Sequence, residues 1–234
     1  MNTVTFMGNL LHLEGNLPAV GQKAPEFTVC NNGLEPRSLK DYAGKIVVLV
    51  SVPSLDTPVC DMEVRRFNKE AAALSDKVQI LALSCDLPFA QARWCGAAGV
   101  QAVESLSDYK DVDFGKNYGV LIQELRLLAR AIFVVAPDGT LAYSQLVPEV
   151  TNEPDYDAVL DAVKKLAELF LPLLRCFRAP LGEPFLLYAS ASVFLFPGGC
   201  RQRKACASAQ GACCGTHTQR KTRKRRTGHG YGTA

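Results

Sequence analysis

One cysteine stands where a sulfur nucleophile could be built. Cys60 closes the segment Pro53-Ser54-Leu55-Asp56-Thr57-Pro58-Val59-Cys60, directly after a strand-like run that ends near Val52. Val64, Phe67, Ala71 and Leu74 follow it at steps of 4, 3, 4 and 3, which is one face of an amphipathic helix. Cys60 therefore falls in the first helical turn, on the core-facing stripe. Backbone N–H groups there lack helical partners, and the helix dipole favours an anion. Pro58 suits a helix start.

A thiolate needs more than a helix terminus. An ordinary thiol titrates near roughly 8.5, and moving such a group to ~6 takes about 3.4 kcal/mol at ~1.36 kcal/mol per unit. The dipole supplies ~0.3–1 kcal/mol, or ~2 when partly buried. A fixed cation and a hydroxyl donor must make up the rest. Thr57, three residues earlier, offers the hydroxyl; the cation has to come from elsewhere in the chain. On residue types alone two readings stand, because a lone cysteine on an apolar helix face is commonly inert filler. Cys30, in the strand-like Phe27-Thr28-Val29-Cys30, and Cys85, just after a strand, read as packing residues. Cys95 lies near a helix end marked by Gly96 and Gly99. Residues 1–166 hold no Cys-x-x-Cys, which argues against a dithiol site of the thioredoxin type.

The elements that must position these groups alternate. Residues 45–50, 77–83 and 131–136 are short apolar, β-branched runs that predict buried strands. Pro137-Asp138-Gly139 is a turn signal before residues 140–145, so the last two runs predict a hairpin and the sheet should be mixed. Helical patterns fall near 60–74, 88–98 and 155–168. The expected class is α/β, a central mixed sheet with helices packed on it.

Composition splits the chain of 234 residues. Residues 1–166 carry 15 Lys and Arg against 21 Asp and Glu, a net of −6; residues 167–234 carry 11 against 2, a net of +9. Hydrophobic residues at 48% exclude a wholly disordered chain, and no apolar run reaches the ~18 residues a membrane helix needs. The start shows no basic region before an apolar run, so no secretory leader is expected. Free cysteines then favour a reducing cytoplasm. From about 169 the apolar residues lose their period among Pro172, Pro180, Pro184 and Pro197, and after Phe196 there is no Leu, Ile, Val, Phe, Met or Trp. Such a segment cannot offset its ordering entropy and is expected to be disordered.

The spacing Pro53…Thr57…Cys60 resembles the Pro-x-x-x-Thr-x-x-Cys motif of peroxiredoxins. With Pro88-Phe89-Ala90-Gln91-Ala92-Arg93-Trp94-Cys95-Gly96 it is similar to the thiol peroxidase branch, the atypical two-cysteine peroxiredoxins. Val4-Thr5-Phe6-Met7-Gly8-Asn9, Ala129-Arg130-Ala131, Ser144-Gln145-Leu146-Val147 and Thr151-Asn152-Glu153-Pro154-Asp155-Tyr156 match in the same order, so the resemblance spans about residues 2–166. It implies a thioredoxin-like fold with an N-terminal hairpin over a domain of residues 1–168, followed by an extension, 169–234, outside the family pattern.

The resemblance also implies roles. Cys60 matches the peroxidatic cysteine, which becomes a sulfenic acid; Cys95 matches the resolving cysteine, which closes an intramolecular disulfide with it. Thr57 matches the active-site hydroxyl, Arg130 the active-site cation and Pro53 the residue shielding the thiolate. Disulfide formation requires Cα atoms within about 7 Å, and the family reaches this by unwinding the turn around the peroxidatic cysteine. No cofactor or metal is implied. Hydrogen peroxide and alkyl or lipid hydroperoxides are the implied substrates, thioredoxin the reductant, and a homodimer the assembly.

The extension admits three readings. Lys221-Thr222-Arg223-Lys224-Arg225-Arg226 suits a basic arm for nucleic acid, an anionic surface or nuclear targeting, and the rival function is a peroxiredoxin-like scaffold that binds an acidic partner through it. Cys200, Cys206, Cys213, Cys214 and His217 fit no common zinc spacing. An unselected extension fits the mixture best, and nucleic acid is not the expected partner.

Overall fold

The computed structural model describes residues 2–71 and 77–176, the last six of these by backbone only. The chain opens with β1 (Thr3–Phe6) and β2 (Asn9–Glu14), then β3 (Thr28–Asn31), β4 (Pro36–Ser38) and β5 (Ile46–Ser51). Helix α1 (Pro58–Ala71), β6 (Val78–Ser84), α2 (Pro88–Ala98), β7 (Val103–Ser107) and the short α3 (Asp113–Asn117) follow. Strands β8 (Leu121–Ile122), β9 (Leu127–Leu128), β10 (Ala131–Val135) and β11 (Leu141–Leu146) precede α4 (Tyr156–Cys176).

Among the described residues one sheet has the order β11-β10-β5-β6-β7-β3-β4 and a smaller one β1-β2-β8-β9. The larger sheet is mixed as expected: β6 pairs β5 and β7 in parallel, and β10 pairs both β5 and β11 antiparallel. The N-terminal hairpin is present, with Phe6 opposite Asn9. Its tight turn needs positive φ at both central positions, and Met7 and Gly8 adopt 51° and 79°.

Strand β5 shows why the apolar runs carry no period-2 polarity. All six of its residues are buried, yet they alternate between two cores. Val47 and Leu49 join Phe27, Phe114, Tyr118 and Phe133 on one face. Ile46, Val48 and Val50 join Cys60, Val64, Phe67 and Trp94 on the other. Helices α1, α2 and α4 thus cover the face that carries Cys60.

One expected helix end meets the edge of the described residues and another differs from expectation. Helix α1 is described only to Ala71, so the expected Leu74 lies outside the described residues. Helix α4 runs to Cys176 rather than stopping near 168. The reason is that Tyr156, Val159, Val163 and Leu166 form a buried stripe which Phe170 continues against the same core. That 3-and-4 spacing outweighs the break expected at Pro172. The remainder of the extension, with its expected disorder, its basic run and its cysteines, lies outside the described residues.

Candidate active site

Thr57 ends the loop after β5, and its carbonyl accepts the Asp61 N–H at 2.9 Å. This is the first bond of α1, and Pro58 occupies the position where a missing N–H costs nothing. Cys60 is then the third helical residue, fully buried. The loop is fastened from below by Asp86. Its carboxylate accepts Ser54 Oγ, the Leu55 N–H and Ser84 Oγ, each at 2.8 Å, tying the approach to α1 to the end of β6.

Two donors converge on the Cys60 sulfur: Thr57 Oγ1 at 2.7 Å and Arg130 Nη2 at 3.3 Å. Thr57 Oγ1 also lies 2.9 Å from the Ser54 carbonyl oxygen. A hydroxyl has one proton. When Cys60 is a thiol it donates to Thr57, which donates to Ser54; when it is a thiolate the Thr57 proton turns to the sulfur. One hydroxyl therefore serves both protonation states.

Arg130 precedes β10, and its backbone is held by the Val147 N–H bonding to its carbonyl at 3.0 Å. Only 1% of the residue is exposed, so its charge must be met by protein. Nε donates to the Val150 carbonyl at 3.0 Å, Nη1 pairs with Glu63 Oε2, and Nη2 is left for the sulfur. Burial disfavours its charge, but Glu63 and Cys60 outweigh that and hold it more firmly protonated than usual. Burial pushes the Glu63 carboxyl up to about 7, against the pull of Arg130. Its Oε1 has no hydrogen-bond partner among the described residues.

Glu63 is the residue that sequence reasoning missed. It shares the buried face of α1 with Cys60, Val64 and Phe67, and a carboxylate on an otherwise apolar stripe was the available signal. Pro53, Thr57 and Arg130 come together, lining one cavity of about 280 Å³ with Phe6, Met7, Ile122, Leu125 and Leu127. Cys95 is not brought to this sulfur. It sits on α2 with Sγ 3.2 Å from Ser105 Oγ of β7, and both cysteines are free. Cys85 is half-buried and packed against the first core. Burial, with Asp108 and Asp86 acting the same way, pushes its thiol up to about 12, in keeping with a packing role. Among the described residues no cluster of metal-ligating side chains occurs and no helix is long and apolar enough to cross a membrane.

Residues 20–144 match the family model described as AhpC/TSA family. A thiol peroxidase of Bacillus subtilis is 49% identical over 168 residues, covering 72% of this chain and all of the relative. One of Halalkalibacterium halodurans is 51% identical over 164 residues, 70% of this chain and 98% of the relative. The crystal structure of a peroxiredoxin-like protein from Aquifex aeolicus superposes with a TM-score of 0.67 at 42% identity, over 71% of this chain and 98% of that one. With a thioredoxin-like sheet, a buried cysteine at a helix start and relatives matched over at least 98% of their length, the chain belongs to the AhpC/TSA family, in its thiol peroxidase branch.

Proposed function

We propose that Cys60 reduces hydroperoxides as a thiolate. The sulfur attacks one peroxide oxygen, the O–O bond breaks, and the leaving alkoxide or hydroxide takes a proton to give alcohol or water. Cys60 is left as a sulfenic acid. The observation that carries this reading is the convergence of Thr57 Oγ1 and Arg130 Nη2 on one buried sulfur. Donors fixed before the reaction stabilise charge without reorganising as it develops. Pro53, buried at the cavity wall, limits water at the sulfur.

In the second step the Cys95 thiol displaces the sulfenic hydroxyl as water and closes a Cys60–Cys95 disulfide. A dithiol reductant, thioredoxin, then returns both thiols. Protein sulfur carries every electron in this cycle, so no metal or organic cofactor is invoked. The apolar lining contributed by Phe6, Ile122, Leu125 and Leu127 suits alkyl and lipid hydroperoxides beside hydrogen peroxide. We place the enzyme in the cytoplasm as a homodimer acting in antioxidant defence, with its catalytic domain within residues 1–168. Peroxide consumption coupled to thioredoxin tests the reading: Cys60→Ser abolishes turnover, and retained turnover contradicts it.

A further inference from the structure

Cys60 and Asp61 are successive residues of the first turn of α1, so their side chains leave the helix about 100° apart. Cys60 takes the inward direction, onto Thr57 and Arg130. Asp61 takes the direction of α2. Its Oδ1 accepts the indole Nε1–H of Trp94 at 2.9 Å, and both its oxygens accept Arg65 Nε at 2.9 Å. Arg65 goes on to donate Nη1 to the Ala98 carbonyl at 2.8 Å, and its guanidinium lies 5.9 Å from the centre of the Trp94 ring. Trp94 is the residue before Cys95 and the single tryptophan of the chain.

The two cysteine-bearing helices are thus fastened to each other through the immediate neighbours of the cysteines, while the sulfurs face different partners. Cys95 Sγ is held by Ser105, whose Oγ also accepts Asn32 Nδ2 at 3.0 Å. A helical turn presents one of two adjacent residues to a neighbouring helix at a time. Turning Cys60 toward α2 carries Asp61 off Trp94 and removes the carboxylate that orients Arg65. The bond that must break is charge-assisted and partly buried, which places it among the stronger single hydrogen bonds.

We propose that Asp61 is a positioning residue that latches α1 to α2 through Trp94 and sets how long the Cys60 sulfenic acid persists before Cys95 reaches it. The proposal rests on the roles assigned above to Cys60 and Cys95. Its chemical consequence is a partition. With the latch released, the Cys95 thiol attacks the sulfenic sulfur, an S–S bond forms, and the hydroxyl leaves with the thiol proton as water. With the latch closed, a second hydroperoxide transfers an oxygen to the sulfur, its O–O bond breaks, alcohol departs and a sulfinic acid remains. The Asp61–Trp94 bond therefore fixes the sensitivity of the enzyme to excess peroxide.

The test uses the full-length reduced protein, mixed rapidly with tert-butyl hydroperoxide in large excess. Reactions are quenched with a thiol alkylator and a sulfenic-acid trap, and thiol, sulfenic, disulfide and sulfinic forms are counted by mass. Asp61→Ala is expected to shorten the sulfenic lifetime about tenfold, the scale of one charged hydrogen bond, and to lower the sulfinic yield in proportion. The rate of the first oxidation stays unchanged. Asp61→Asn keeps an acceptor for the indole and returns the lifetime toward its original value. Trp94→Phe reproduces the Asp61→Ala result, and the double variant adds nothing to it. An unchanged or longer lifetime in Asp61→Ala, or additive effects in the double variant, would overturn the latch alone. Absence of sulfenic acid at Cys60 in the unaltered protein would overturn the reading of the site, and the latch with it.

Discussion

Arg130 Nη2 meets the Cys60 sulfur at 3.3 Å across 70 residues of sequence, and the remaining arms of the same guanidinium are spent on Glu63 and the Val150 carbonyl. The cation is aimed because its other directions are occupied. A planar fork can satisfy three partners at fixed angles; an ammonium on a flexible stem cannot. Arg130→Lys is therefore expected to slow the oxidation of Cys60 by about 10²-fold, the scale of losing one preorganised donor. Stopped-flow measurement of the second-order rate constant checks this, and an unaltered constant would mean that the charge at the sulfur is supplied elsewhere.

Thr57 separates the hydroxyl from the methyl. Thr57→Ser keeps the donor at the sulfur and is expected to retain most of the rate. Thr57→Val keeps the shape and is expected to lose about 10²-fold. The same rate constant measured for both variants decides whether the hydroxyl or the packing matters.

Glu63 predicts a pH dependence of stability. Its folded-state value, about 7, stands above the ordinary 4.5 because of burial, so the folded protein binds more protons than the unfolded chain between those limits. The contribution from this group is complete below about 4.5 and is lost as pH rises through about 7. Asp108, pushed up to about 6 by burial, acts with the same sign. Glu63→Gln is expected to flatten the fall in unfolding free energy over the upper part of that window while leaving the Asp108 contribution in place. Urea denaturation of both proteins at several pH values measures the difference directly.

Leu125 lines the cavity and is 42% exposed, so it can be changed without opening the core. Leu125→Asn is expected to raise KM for cumene hydroperoxide by up to about tenfold, the lower end of what one apolar contact contributes to discrimination. The constants for hydrogen peroxide are expected to stay as they were. Equal effects on both substrates would show that the cavity does not select the peroxide.

Much of the site was legible in the sequence because its parts are local. Thr57 and Cys60 are one turn apart, and the apolar stripe of α1 fixes which way the sulfur points. Arg130 was legible only through family order, since no local pattern distinguishes a strand-end arginine that is buried from one that is solvated. Glu63 escaped because its partner, Arg130, comes from the segment just before β10, 67 residues away. The sheet was legible where β-branched runs are long. Strands β8 and β9 have two residues each, too short for any period, and they exist because Leu121, Ile122 and Leu128 bury against the first core. Helix α4 runs past the expected end near 168 because its apolar stripe continues at Phe170, and Pro172 does not stop it.

A chain ending at Cys176 tests whether the basic segment carries the function. Cutting there preserves the Phe170 contact of α4. Thioredoxin-coupled peroxide turnover is expected to be unchanged. Lost binding to an acidic partner, with trivial turnover in both lengths, would favour a scaffold role instead.

The most direct test of the central claim is a redox titration followed by mass. Fully reduced protein is treated with one equivalent of hydroperoxide, then digested without reducing agent. The expected result is a loss of two hydrogens from the intact chain, one linked peptide pair containing Cys60 and Cys95, and no change in the Cys60→Ser variant. A reduced Cys60 after the peroxide has been consumed, or oxidation confined to other cysteines, would contradict it.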